Sequence, residues 1–392
     1  MATVATTTRP PFWRNVRVLR LAGQVAFVLV VLVVLREGYL NMEFAMRELG
    51  IDLSFDFLDQ RAGFGIGEGI SYNPNQSFLK AFMVGVVNAI FVAIGGIVLA
   101  TVVGVVMGVA RLSPNWIMRK IAHVYVEIVR NIPPLVQIIF LYTAVILAIP
   151  AIGESISVGG IAFVSNRGGA IPWPRAGADI GAWLLFVAAG VVAAAFVWRW
   201  RTRVNEDTGR PSYRVLGAMG TVVAVALVGY VVVGDAFTID VPQLGERSYT
   251  GGLQMTPEFA GILLGLVIYT GAFIAEIVRG SIQAVPKGQK EAAQALGLRP
   301  GQQLRLVVLP QAMRIALPAI NSQYLNLTKN TSLAFAIGFP EIINITQTIT
   351  NQAGRFVQVF LMMVVAYLLL SLIISAAMNG LNYLIVRRGT RR

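Results

Sequence analysis

Long unbroken apolar runs dominate the pattern of this chain, in place of the alternation at period 2 or 3.6 that marks half-buried strands and helices of water-soluble proteins. Runs of roughly 18 or more apolar residues, enough to cross about 30 Å of hydrocarbon, lie near Val18–Leu35, Phe82–Ala110, Ala122–Ile149, Ala182–Trp198, Leu216–Gly234, Phe259–Val278, Ile315–Gly338 and Val357–Val386. They predict an all-α polytopic membrane protein with eight transmembrane helices. The two longest runs imply bends or extensions beyond the bilayer. Pro133-Pro134 fall inside the third run, and Pro310 and Pro318 bracket the start of the seventh. Each removes a backbone donor, so these helices should kink or begin there. Broken helices at membrane depth survive beside protein or a water-filled cavity; ordinary kinks account for them equally well.

Composition agrees. Hydrophobic residues make up 56% of the 392, charged ones 13%, too few polar side chains to coat a soluble protein of this size. With no cysteine and one histidine, His123, disulfides, thiolate nucleophiles and multi-histidine metal sites are excluded. His123 reads as an interfacial residue.

The net charge of +13 would suit nucleic-acid binding if it formed one patch, but it is sorted along the chain. With loops assigned alternately to two sides, the side holding both termini collects 22 of the 32 Lys and Arg and only Glu206, Asp207 and Glu291. The other side collects eight basic and 14 acidic residues. The positive-inside rule makes the first side cytoplasmic, and the basic end Arg387, Arg388, Arg391 and Arg392 requires an even number of spans. The first run follows Arg9, Arg14, Arg17 and Arg20, yet no small-residue cleavage site follows it, so it is read as a membrane helix.

The expected organisation is therefore a cytoplasmic N-terminus (1–17), a first helix (18–35), an external loop (36–78), a first core part (79–150), an insertion with two helices (151–257), a second core part (258–386) and a basic tail (387–392). The loop 36–78, with Gly63, Gly65, Gly67 and Gly69, reads as flexible. It holds no lysine among its glycines and is no phosphate cradle. Pro150–Asp179 reads as irregular, with Trp173 and Trp183 suited to an interfacial belt. Trp198–Arg203 reads as an anchor on anionic headgroups. Glu127-Ile128-Val129-Arg130 is echoed by Glu276-Ile277-Val278-Arg279, and local ion pairing explains both copies.

The most informative stretch is the cytoplasmic loop 281–310. Pro286 suits a first helical turn, Gly297 a C-terminal cap, and Pro300 blocks continuation. The result is a short capped helix rich in small residues, either a plug for another surface or a helix lying on the bilayer. Here the sequence resembles a known family. Glu291-Ala292-Ala293, Gly297 and Leu309-Pro310, with Val307 where the family has Ile, are similar to the EAA loop of ATP-binding-cassette importer permeases. The flanking Ala275–Gly280, Pro310–Pro318 and Lys329–Leu333, with Pro134–Gln137, narrow this to the polar amino acid uptake permeases. The resemblance covers about 79–386. It implies a type I importer permease core with one N-terminal and two inserted extra helices, the layout of the larger, eight-span permease of broad-specificity L-amino acid transporters. It further implies that Glu291, Ala292, Ala293, Leu296, Gly297, Leu309 and Pro310 couple the permease to an ATP-binding subunit dimer. A second permease subunit and an external solute-binding protein complete the assembly. Many relatives have an aspartate where this chain has Asn330, which favours neutral or acidic amino acids over cationic ones.

None of the five lysines follows a glycine, so a Walker A loop of the usual form is absent, ATP is expected on a partner subunit, and the chain is expected to need no cofactor and be no enzyme. The polar residues costliest to expose to lipid are Asn88, Gln137, Gln323, Asn326, Lys329, Asn330, Thr331 and Ser332. Asn88 and Gln323 are read as interhelical hydrogen bonds. Gln137, Asn326, Lys329, Asn330, Thr331 and Ser332 are candidates for a substrate pathway, with Lys329 facing a substrate carboxylate. A secondary transporter driven by an ion gradient is the alternative, but the expected buried titratable groups are missing from the spans: Glu127 and Glu276 sit near the interface beside arginines.

Overall fold

A computed structural model describes residues 16–48, 50, 54–208, 213–245 and 248–390. The basic flanks carrying Arg9, Arg14, Arg391 and Arg392 lie outside the described residues. Helix α1 (Val16–Glu48) is followed by α2 (Phe78–Ala110), α3 (Trp116–Asn131), α4 (Pro134–Phe140), α5 (Ile180–Thr208), α6 (Arg214–Val233), α7 (Pro257–Gln283), α8 (Lys287–Ala295), α9 (Pro300–Gln303), α10 (Leu309–Asn330), α11 (Ile342–Ala353) and α12 (Phe356–Thr390).

Helices α1, α2, α5, α6, α7 and α12 are long and apolar enough to cross a membrane, and α3 with α4 makes a seventh if that pair counts as one. The expected eighth, α10, has the length at 22 residues. It carries Arg314, Lys329 and several amides, and so falls short by composition; the count of eight is not reached. Helix α1 runs well past the expected Leu35. The third expected span is broken rather than kinked: α3 and α4 meet at 108°, where Pro133 and Pro134 deny the backbone two donors. The Gln137 amide repairs part of the loss by donating to the carbonyls of Val129 at 2.7 Å and Ile132 at 2.8 Å.

The core is built on α2 and α7, which run parallel and touch through glycine. A Cβ added to Gly104 would lie 2.5 Å from Ile274 Cβ, and one on Gly108 would lie 2.7 Å from the Ala275 carbonyl. Gly271 of α7 answers with Val103 at 3.0 Å. The other face of α7 receives α4, where Gly265 meets Ile138 at 2.6 Å. Helix α10 crosses back antiparallel to α2. Its Leu327 seats on Gly96, and its Tyr324 hydroxyl bonds Thr101 Oγ1 at 2.7 Å. Without water to drive helices together, close approach through small residues and interhelical hydrogen bonds holds such bundles.

The insertion 151–257 corrects one expectation. Its loops are β-structure, not irregular chain. Strands β1 (Ile156–Val158), β2 (Ala162–Ser165), β3 (Gly168–Ile171), β4 (Trp173–Ala176), β5 (Phe237–Asp240), β6 (Gln243–Leu244), β7 (Tyr249–Thr250) and β8 (Leu253–Met255) form one four-stranded sheet, ordered β1-β2-β3-β8, and two two-stranded ones. Strand β8 leads straight into α7, and β3 must lie close to it: a Cβ at Gly168 would meet the Met255 carbonyl at 2.0 Å. Strands β4 and β5 pair where the α5–α6 hairpin leaves and returns. Trp183 spans that hairpin. Its Nε1 donates to the Ala226 carbonyl at 2.9 Å, and its ring meets Phe237 edge-on at 4.7 Å.

The loop 36–78 is likewise not simply flexible. Beyond α1, residues 54–77 pack Phe57, Ala62 and Phe64 against α2 and α11. Gly69 sits so near Asn88 that only glycine fits. Asn88 donates to the carbonyls of Glu68 at 3.2 Å and Pro340 at 2.8 Å, tying α2 to two loops where an interhelical bond was expected. Thr256, which caps α7 by accepting from Phe259 N, also donates to the Glu68 carboxylate. Buried Glu341 caps α11 through Ile343 N at 2.8 Å and accepts from the Tyr367 hydroxyl at 2.6 Å. This segment and the sheets thus gather at the N-terminal end of α7, about 40 Å of helix away from α8.

Two outcomes follow. Gly104→Leu should push α2 from α7 and cost about 1–3 kcal/mol, lowering the thermal midpoint of the purified protein by several degrees, whereas Gly280→Ala, in open space on α7, should not. Burial pushes the Glu68 carboxyl from the ordinary 4.5 up to about 7, with Glu258 opposing its charge from α7; Arg167 lines the same cleft. The folded protein therefore holds a proton that the unfolded chain releases, so this contribution is full below pH 4.5 and lost as pH rises through 7. Corrected hydrogen exchange of residues 56–77 should speed up by up to about tenfold between pH 5.5 and 8, and Glu68→Gln should remove that dependence.

Candidate functional site

The loop between α7 and α10 forms a compact projection. Helix α8 spans nine residues behind Pro286, whose fixed φ begins a helix well. It stops in a double closure: Gly297 N–H bonds the Gln294 carbonyl at 2.9 Å, and Leu298 N–H bonds the Ala293 carbonyl at 3.1 Å. Gly297 takes φ +74°, the left-handed conformation this closure requires. The sequence thus ends α8 where expected.

Ala293 is buried at 3% exposure while Leu296 is 81% exposed, and Glu291 and Ala292 are exposed as well. An exposed leucine thus stands beside a carboxylate and the exposed Ala292 and Ala295. The projection is anchored at its base, where Val285, Val308 and Ala312 form a buried cluster with Ile282 packed against it. Gln311 Nε2 donates to Gln289 Oε1 at 3.2 Å, joining α10 to α8. A single wide turn, Leu304–Val308, leads into Leu309-Pro310; Pro310 has no N–H to give, and the chain shifts its hydrogen-bond register just before it. Force applied to α8 therefore reaches α7 and α10 together.

Helix α10 carries the second candidate set. Ala312, Ala316, Tyr324, Leu327 and Thr328 are buried. On the opposite side Ser322, Asn326 and Lys329 are exposed, three or four residues apart, with Asn330 half-buried next to them. A polar stripe on a helix within an apolar bundle is expensive against lipid, so this face suits a cavity or a partner protein. Thr331 is buried and donates to the Thr328 carbonyl, and Ser332 donates to the Lys329 carbonyl at 2.7 Å; both hydroxyls close the turn Thr331–Ile337 that ends α10. Gln137 is spent on the α3–α4 break and does not join the stripe, although its neighbour Ile138 packs in one cluster with Ala334 and Ile337.

Near the α8 end of α7, Arg111 from the end of α2 bonds the Glu276 carboxylate, which Arg279 also engages. His123 Nδ1 lies 3.1 Å from Arg111. Glu276 and Arg279 pair locally as expected, but the echo fails: Glu127 sits 3.9 Å from Arg111, and Arg130 lies over the Phe273 ring at 5.2 Å. Sequence reading missed Arg111 because its partner is 165 positions away. The Tyr142 hydroxyl bond to Glu258 at 2.8 Å was hidden for the same reason. No group of three or more potential metal ligands occurs among the described residues.

Comparison with known proteins agrees with this geometry. The chain is 43% identical over 329 residues to the general L-amino acid transport system permease protein AapQ of Rhizobium johnstonii, covering 84% of this chain and 82% of that one. It is 42% identical over 335 residues to the putative amino-acid ABC transporter permease protein YhdX of Escherichia coli K12, covering 85% of each. It is 37% identical over 382 residues to the glutamate/glutamine/aspartate/asparagine transport system permease protein BztB of Rhodobacter capsulatus, covering 89% and 88%. The family model described as binding-protein-dependent transport system inner membrane component matches residues 100–389, and to that family the chain belongs.

Proposed function

We propose that this chain is the transmembrane permease subunit of an ATP-driven importer of L-amino acids, multi-pass in the inner membrane, with both termini cytoplasmic. The observation that carries the proposal is the capped, exposed helix α8 fixed at its base to both α7 and α10. Glu291, Ala292, Leu296 and Gly297 form the surface on which an ATP-binding subunit docks, with Ala293 buried beneath them, and Leu309-Pro310 is the rigid lead into α10. Closure of an ATP-binding dimer displaces α8, and the displacement tilts α7 and α10 as one unit. The cavity lined by the polar face of α10 then changes the side to which it opens. The distance between α8 and the sheet end of α7 keeps the nucleotide-driven side apart from the side that receives an external solute-binding protein.

The chain contributes no ATP site of its own. The exposed stripe Ser322, Asn326 and Lys329 also supports a second permease subunit facing α10, since two such stripes enclose a polar path that neither makes alone. Lys329 meets the substrate carboxylate. Asn330 adds no negative charge, which favours neutral or acidic side chains over cationic ones, in line with the glutamate/glutamine/aspartate/asparagine named for the relative BztB.

Glu291→Lys should reduce uptake of radiolabelled L-glutamate or L-glutamine by more than about tenfold with the membrane level of the protein unchanged; uptake at the wild-type rate would refute the docking assignment. Lys329→Ala should raise the half-saturating glutamate concentration about tenfold, the loss of one charge-assisted contact, with substrate-independent ATPase activity of the assembled complex unchanged. Uptake should stop on ATP depletion and survive an uncoupler; the reverse result would favour an ion-gradient carrier.

A further inference from the structure

The α8 end of the bundle carries a basic cleft that the coupling scheme does not use. It has a volume of about 290 Å³ and is lined by Arg111, Arg119, Lys120, His123, Arg279 and Trp116. Two of its arginines, Arg111 and Arg279, share one carboxylate, Glu276; Glu127 reaches only to 3.9 Å of Arg111. Among the described residues no carboxylate lies within ion-pair distance of Arg119 or Lys120, and Arg119 instead donates to the Ser113 carbonyl at 2.8 Å. Cationic side chains therefore outnumber carboxylates around one concave surface, and the cleft selects an anion.

Helix α3 indicates which anion. One face, with Ala122, Val126 and Val129, is buried. A second face exposes Ile117, Ile121, Val124 and Ile128 at 58%, 59%, 41% and 55%, spaced four, three and four residues apart in a continuous apolar stripe. Arg119, Lys120 and His123 lie between these faces, and Trp116, 66% exposed, stands where cleft and stripe meet. A soluble phosphate would occupy the cleft and leave the stripe bare. A ligand with a phosphate head and hydrocarbon tails fills both.

We propose that this cleft binds the phosphodiester headgroup of an anionic phospholipid, whose acyl chains lie along the apolar stripe of α3. Tryptophan at the junction suits the headgroup level, and each nearby Lys or Arg strengthens the attraction to an anionic lipid. The site borders Arg279 and Gln283 at the end of α7, from which the α8 projection springs, so a bound lipid steadies the base of that projection. The inference rests on the proposed orientation only for its leaflet; were the topology inverted, the lipid would belong to the opposite leaflet and the binding measurement would stand.

The test uses the assembled transporter in nanodiscs containing brominated phosphatidylglycerol or brominated phosphatidylcholine at equal mole fraction. The signal is the difference in tryptophan quenching between the wild type and Trp116→Phe. Phosphatidylglycerol should quench Trp116 at about fivefold lower mole fraction for each effective cationic contact. Arg119→Gln with Lys120→Gln should abolish the preference, and Lys120→Arg should keep it. Inorganic phosphate should not relieve the quenching. Equal quenching by both lipids, the outcome if a protein subunit covers this face, would overturn the proposal; so would relief by phosphate, which would mark a free-anion site. A double variant that fails to assemble passes the decision to Lys120→Gln alone, which should weaken the preference about fivefold.

Discussion

The close contact of α2 with α7 is the constraint on which the remaining architecture rests. In a bilayer the hydrocarbon surrounds all apolar faces equally, and helices gain little by hiding leucine from lipid. They gain by approaching until backbones touch. Gly104 and Gly108 allow α2 within contact of the Ile274 side chain and the Ala275 carbonyl, and Gly271 and Gly265 let Val103 and Ile138 press on α7 from two sides. Once α7 is held this way, everything attached to its two ends is held with it.

Those ends have opposite characters. At the N-terminal end, β8 continues into α7 and Thr256 joins the helix cap to Glu68, so the insertion and the segment after α1 are fastened to the same point. At the C-terminal end, α7 gives way to α8 and returns through α10, with Val285, Val308 and Ala312 binding the outgoing and incoming chain. One rigid helix therefore connects a sheet-capped face to a projecting helix at its other end.

The polar groups follow the same economy. Asn88, Gln137 and Glu341 are buried, and each satisfies backbone groups that glycines, prolines or helix ends leave open. On the exposed stripe of α10, Ser322 donates to the Pro318 carbonyl at 3.4 Å, while Asn326 and Lys329 stand exposed beside it.

Much of this was legible in the order of residues. The long apolar runs announced the helical membrane class, and Pro286, Gly297 and Pro300 delimited α8 because helix caps and breakers act within a few positions. What could not be read was whatever depends on partners far along the chain. The strands of the insertion carry two to four residues each, too few to show an alternation, and two of the pairings, β3 with β8 and β4 with β5, form across the α5–α6 hairpin. Arg111 with Glu276, Tyr142 with Glu258 and Trp183 with Ala226 meet only because the helices pack as they do. Local chemistry fixes where helices start and stop, whereas the glycine contacts of α7, summed over the whole fold, decide which side chains meet and which face of α10 is left uncovered.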